Sequence, residues 1–98
     1  MTTYSVGSGL AAHAKSLAAN TEDTVNFGRN VDKVEVWARS GTEPVYVTVD
    51  GSAATVEGVR TRVVPVGSFV TLDPPDNVNT TVRLIASTSS VYHVSDVS

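Results

Sequence analysis

Lys33-Val34-Glu35-Val36-Trp37-Ala38-Arg39-Ser40-Gly41-Thr42-Glu43-Pro44-Val45-Tyr46-Val47-Thr48-Val49-Asp50-Gly51 is the stretch whose reading decides the fold class. Val34, Val36 and Ala38 alternate with Lys33, Glu35, Trp37 and Arg39, the period of two expected of a half-buried strand over 31–39. Ser40-Gly41-Thr42-Glu43-Pro44 is a turn cluster, after which Val45, Val47 and Val49 alternate with Tyr46, Thr48 and Asp50. The two runs read as a β-hairpin. Asp50-Gly51 closes it, because Gly tolerates positive φ and an Asp side chain bonds its own backbone.

Working towards the C-terminus, Arg60 to Val64 reads as a strand stopped by Pro65, and Ser68 to Leu72 as another stopped by Asp73-Pro74-Pro75. These two meet at a Pro-Val-Gly corner. Val82, Leu84 and Ala86 then alternate with Thr81, Arg83 and Ile85, and a last strand runs through Val91 to Val94. Towards the N-terminus, Leu10 to Ala19 contains helix formers, but Leu10 and Leu17 are its only large apolar side chains, too few for a helical stripe. A strand around 12–18, paired with Thr24 to Phe27 through Asn20-Thr21-Glu22-Asp23, fits better. Residues 1–9, with two glycines among small polar neighbours, are expected to form a loose arm, leaving 10–98 as one domain.

Composition agrees. Val occurs 19 times and Thr 12 times in 98 residues, so about a third of the chain is β-branched and suited to a pleated surface. The expected architecture is all-β: an antiparallel β-sandwich or jelly-roll-like barrel of seven to eight short strands. A chain this long supports one core. No run approaches the roughly 18 to 20 apolar residues of a membrane helix, and the N-terminus has no basic region followed by an apolar stretch. Seven Lys plus Arg against ten Asp plus Glu give a net charge of -3, the wrong sign for a phosphate backbone. Neither membrane nor nucleic acid is an expected partner. With no Cys, thiol nucleophiles, thiolate metal sites and disulfides are excluded.

Catalytic chemistry is thinly provided for, and neither an enzyme nor a cofactor is expected. His13 and His93 fall in the first and last strands of the expected domain, but zinc needs three or four ligands and no His-x-x-His run exists. Asp50, Asp73, Asp76 and Asn77 could offer oxygens to calcium, yet no EF-hand register is present and turn formation accounts for them. Gly7-Ser8-Gly9 lacks the strand-to-helix context of a nucleophile elbow and the Gly-Lys-Ser/Thr of a phosphate loop.

The informative feature is the polar face of the 31–49 pair. Trp37 and Arg39 alternate outward, Tyr46 follows on the next strand, and Ile85 is outward by the same parity. Exposed Trp and Tyr beside Arg are typical of association surfaces, so Trp37, Arg39, Tyr46 and Ile85 are the candidate protein interface. Two other readings of these residues stand beside it: a second layer of the core, in which they are simply covered, and sugar stacking on Trp37 and Tyr46.

The segment Val34-Glu-Val-Trp-Ala-Arg-Ser-Gly-Thr-Glu-Pro-Val-Tyr-Val-Thr-Val-Asp-Gly-Ser-Ala-Ala-Thr-Val-Glu-Gly58, with Val63-Val64-Pro65, the opening Met1-Thr-Thr-Tyr-Ser-Val-Gly-Ser-Gly-Leu-Ala-Ala-His13 and the closing Arg83-Leu-Ile-Ala-Ser-Thr-Ser-Ser-Val-Tyr92, resembles small virion proteins of tailed phages that infect actinobacteria. The resemblance rests on turn and strand chemistry and carries no catalytic signature. It implies a structural virion component, first a capsid decoration (minor capsid) protein on the shell exterior that contacts the major capsid protein and further copies of itself. A tail component, or a carbohydrate-binding sandwich with a glycan as partner, is the alternative.

Overall fold

In the computed structural model, which describes residues 2–6 and 12–97, nine strands form two sheets. β1 (Thr2–Ser5), β3 (Asp23–Asn26), β8 (Thr81–Ile85), β5 (Val45–Thr48) and β6 (Arg62–Val64) lie side by side, in that order, in a five-stranded sheet. β2 (Ala12–Leu17), β9 (Ser90–Asp96), β4 (Val34–Ser40) and β7 (Phe69–Leu72) form a four-stranded sheet. Every pairing is antiparallel except β1 with β3. The eight strands β2 to β9 make two facing layers, β2-β9-β4-β7 and β3-β8-β5-β6, the arrangement of a jelly roll. All eight strands expected from the sequence are present within a few residues of their expected bounds, and Ala12–Leu17 is a strand rather than a helix.

Two expectations are corrected. β4 and β5 are not a hairpin: β4 pairs with β7 and β9, while β5 pairs with β6 and β8 in the opposite sheet. Likewise β2 pairs with β9, and β3 with β1 and β8, so residues 18–22 also cross between layers. Six of the seven connections from β2 to β9 change sheet, and only β5 to β6 stays within one. The physical reason is reach. A turn cluster of four or five residues spans the roughly 10 Å between packed sheets as readily as it reverses within one, and period two fixes which face is inward without naming the partner. Gly41 fits the crossing closely: its φ is 144°, and a Cβ there would lie 2.7 Å from Ser90 Oγ and 3.3 Å from Ser89 O. Thr42 and Thr88 hydroxyls meet at 3.1 Å, joining this crossing to the one between β8 and β9.

The second correction concerns the arm. Thr2–Ser5 are a strand, parallel to β3 in the register Thr2↔Asp23 to Ser5↔Asn26, and Val6 N–H continues the ladder to Asn26 O at 2.8 Å. A two-residue alternation is hard to see in Met-Thr-Thr-Tyr-Ser-Val, and backbone pairing along an edge needs little from side chains. Residues 7–9, the rest of the expected arm, lie outside the described residues.

Between the sheets lies a layer made mainly of valine: Val25, Val45, Val47, Val64 and Val82 from one side face Val34, Val36 and Val94 from the other, with Leu17, Leu84 and Phe27 completing it. Burying each such side chain contributes about 1.5–3 kcal/mol. At the end bearing the 27–33 and 73–80 connections, Thr80 ties the two together. Its hydroxyl accepts from Val31 N–H at 2.9 Å, its N–H reaches Arg29 O at 2.8 Å and its carbonyl accepts from Phe27 N–H at 3.1 Å. Arg29 also pairs with Asp96 at 3.0 Å, fastening that connection to β9.

One polar bond crosses the apolar layer. Tyr92 on β9, fully buried, donates its hydroxyl to Asp23 Oδ2 on β3 at 3.1 Å. Burial, and then the Asp23 charge, hold the phenol far above its ordinary pKa. The folded state therefore favours the neutral phenol, whereas the unfolded one ionises near pH 10. The stabilisation is fully present below about pH 10 and is lost as pH rises beyond it. Tyr92→Phe is expected to lower stability at neutral pH by about 1–3 kcal/mol in urea unfolding, and to flatten the alkaline fall in stability above about pH 10. Parent-like stability with an unchanged alkaline limb would contradict this role.

Candidate functional site

The outer faces of the two sheets differ in what covers them. On the five-stranded sheet, the long β5–β6 connection, residues 49–61, folds back over the outward side chains. Ser52 O accepts from Thr48 Oγ1 at 2.6 Å, and Ala54 N–H, in a buried residue, donates to Glu22 Oε2 at 2.7 Å. Outward Thr24 and Thr48, cross-strand neighbours of Arg83 on either side, are consequently buried. Arg83 itself reaches Glu22 at 3.7 Å, and its Nε has no hydrogen-bond partner.

On the four-stranded sheet, Trp37 and Phe69 have no such cover among the described residues. Trp37 is 41% exposed and Phe69, its cross-strand partner on β7, 54% exposed. Their ring centroids are 5.7 Å apart at an interplanar angle of 55°, a tilted aromatic pair. On the other side Trp37 faces half-buried His93 of β9. The adjacent outward row is polar: Ser95, Glu35 and Thr71 pair across β9, β4 and β7. Beyond Trp37, Arg39 is exposed at a register shift between Ala38 and Ser40, where a bulge adds local twist. β7 is the edge of this sheet, and its sequence Phe-Val-Thr-Leu holds neither charge nor proline, the usual protections of an open edge.

The four residues expected to form one interface are thus divided between opposite faces. Trp37 and Arg39 lie on the four-stranded sheet, whereas Tyr46 and Ile85 are cross-strand partners on the five-stranded one. Tyr46 is only 7% exposed and Ile85 is half-buried. The division follows directly from the crossing between β4 and β5. Phe69 is the residue the sequence reading missed, although its parity with Thr71 and against buried Leu72 already placed it outward.

His13 is in register with Val94 and His93 with Ala14, on neighbouring strands, and among the described residues no group of three or more His, Asp or Glu could hold a metal ion. Asp50 accepts from both the N–H and the hydroxyl of Ser52, which hold its carboxyl below the usual carboxylate range. Asp73 pairs with Lys33 at 3.4 Å. Gly7-Ser8-Gly9 lies outside the described residues.

No family model matches the chain, and no curated protein sequence does. Among solved structures it is similar to a de novo designed double-stranded β-helix determined by solution NMR. The TM-score is 0.59 with 14% identity, over 85% of this chain and 94% of that one. At that identity the likeness concerns the fold, and it agrees with the two-layer strand order.

Trp37 is the chain's single tryptophan, which makes its environment directly observable. Its native fluorescence is expected to be readily quenched by acrylamide and to shift little to the red on unfolding. A blue-shifted, quencher-resistant emission would place the indole under cover and remove the open face.

Proposed function

We propose that this chain is a non-enzymatic structural virion protein, a capsid decoration protein that binds the outer shell of a tailed phage through the open face of its four-stranded sheet. The observation that carries the reading is the exposed Trp37–Phe69 pair, whose Phe69 lies on β7, an edge strand of the described sheet. Large exposed aromatics supply most of the energy of protein association, and an edge strand offers backbone bonds that need little sequence specificity. Jelly rolls serve as viral capsid domains, as well as lectin and cupin domains, so the fold is compatible with the role and does not specify it. The sequence resemblance to small virion proteins supplies the rest. The partners are the major capsid protein and neighbouring copies of this chain, on the capsid exterior, where repeated weak contacts gain from avidity.

A glycan is the second reading, favoured by one observation. The Trp37 ring is bordered by Glu35, Ser95, Thr71 and His93, a stacking surface with hydrogen-bonding groups at its margin. A tail component would use the same face in another position on the virion.

Mixing the purified protein with shells that lack it, followed by co-sedimentation, tests the proposal. Saturable binding is expected, with Trp37→Ala and Phe69→Ala each weakening it about tenfold or more, the loss of roughly 1.4 kcal/mol or more typical of truncated anchors. Protein that stays in the supernatant at every concentration would overturn decoration. Retention on an immobilised glycan, abolished by Trp37→Ala, would then transfer the face to the second reading.

A further inference from the structure

A concavity lies where β5 and β6 meet their own connection: Val47 to Asp50, Val59 to Arg62 and Leu72 of β7 line an open cleft of about 330 Å³. That volume is at the lower end of small-ligand pockets, about 300–1,000 Å³. Its inner part is apolar: Val47 and Leu72 belong to the core layer and Val49 packs against it. Arg62 pairs with Val47 and shares the parity of buried Val64, so its stem leaves the strand on the inner side while the residue remains exposed. Arg60 stands two positions earlier, also exposed.

The charge at this mouth is only partly offset from within, by the one carboxylate of Asp50 against two guanidiniums. Arg29, Lys33 and Arg83 each have a carboxylate partner, and Lys15 lies over the Tyr4 ring at 4.7 Å. Among the described residues neither Arg60 nor Arg62 forms an ion pair. Asp50, on the same lining, keeps its negative charge while it accepts from Ser52, and it attracts Arg60 without a direct ion pair, so the two guanidiniums leave the mouth positive by one charge. The mouth is also held in shape. Thr48 Oγ1 bonds Ser52 O, Thr61 Oγ1 bonds Gly58 O at 2.6 Å, and Gly58 N–H bonds Thr55 O at 3.0 Å, so both ends of the connection are fixed before any ligand arrives.

We propose that this cleft binds a small free carboxylate with an apolar stem, its anionic head at Arg60 and Arg62 and its stem against Val49, Val59 and the accessible margin of Leu72. Charge complementarity selects the head group. Guanidinium pairs match a carboxylate's two oxygens, and the valine and leucine floor offers nothing to a ligand that is charged throughout. The cleft does not include the Trp37–Phe69 pair, although β7 contributes Phe69 to that pair and Leu72 to the cleft.

The test is a ¹⁵N–¹H NMR titration of the full chain with hexanoate. Saturable shifts are expected at Val47 to Asp50 and Val59 to Arg62. Hexanol and inorganic phosphate, each lacking one half of the recognition, should bind at least tenfold more weakly. The Arg60→Gln/Arg62→Gln double variant, altered only at exposed positions, should lose tenfold or more in hexanoate affinity while keeping the parent spectrum elsewhere, and Arg39→Gln should behave as the parent. Absence of localised shifts would overturn the proposal. So would equal binding of hexanol, unchanged binding by the double variant, or shifts centred on Trp37.

Discussion

The layer of valine side chains between the two sheets governs where everything else in this molecule can be. Valine is short and stiff at χ1, so the layer is filled only when both sheets present a β-branched or leucine side chain at every second position. Val34, Val36 and Val94 do this from one side, and Val25, Val47, Val82 and Leu84 from the other. Six crossings between sheets are how so short a chain supplies both sides of one layer. The outward positions are then left to be covered or exposed according to which connection passes over them. The 49–61 connection passes over Thr24 and Thr48 of the five-stranded sheet, and the other sheet keeps Trp37 and Phe69 in solvent.

Alternation along the chain was enough to find each of the eight strands and to tell which way Trp37 points. It could not tell which strands are neighbours. Val36 is inward whether β4 pairs with β5 or with β9, because parity is a property of six or seven residues while pairing joins residues more than fifty positions apart, as in Val36↔Val94. That one gap accounts for the divided interface. Had β4 and β5 been a hairpin, Tyr46 would stand next to Trp37. Instead its cross-strand partners are Ile85 and Val63 on the opposite sheet. The Tyr92–Asp23 bond was invisible for the same reason, since its partners are 69 residues apart in sequence. β1 escaped notice because it joins an edge through its backbone and shows no apolar repeat.

Two surfaces of different chemistry result. One is flat, aromatic and bordered by an open strand edge, suited to another macromolecular surface. The other is concave, apolar within and cationic at its rim, suited to a small anion. The two share β7, which contributes Phe69 to the first and Leu72 to the second. Decoration of a shell asks only for the first. The second would give a surface-bound protein a way to sense or hold a small amphiphile.

The partnership of β4 is the claim on which both surfaces rest, and backbone NOEs in a uniformly labelled sample test it most directly. Cross-strand contacts are expected between Trp37 and His93, between Trp37 and Phe69 and between Tyr46 and Ile85, with none joining Val36 to Ser40 with Val45 to Val49. A ladder of contacts between those last two segments would contradict the crossing, return Tyr46 to the Trp37 face and require both surfaces to be redrawn.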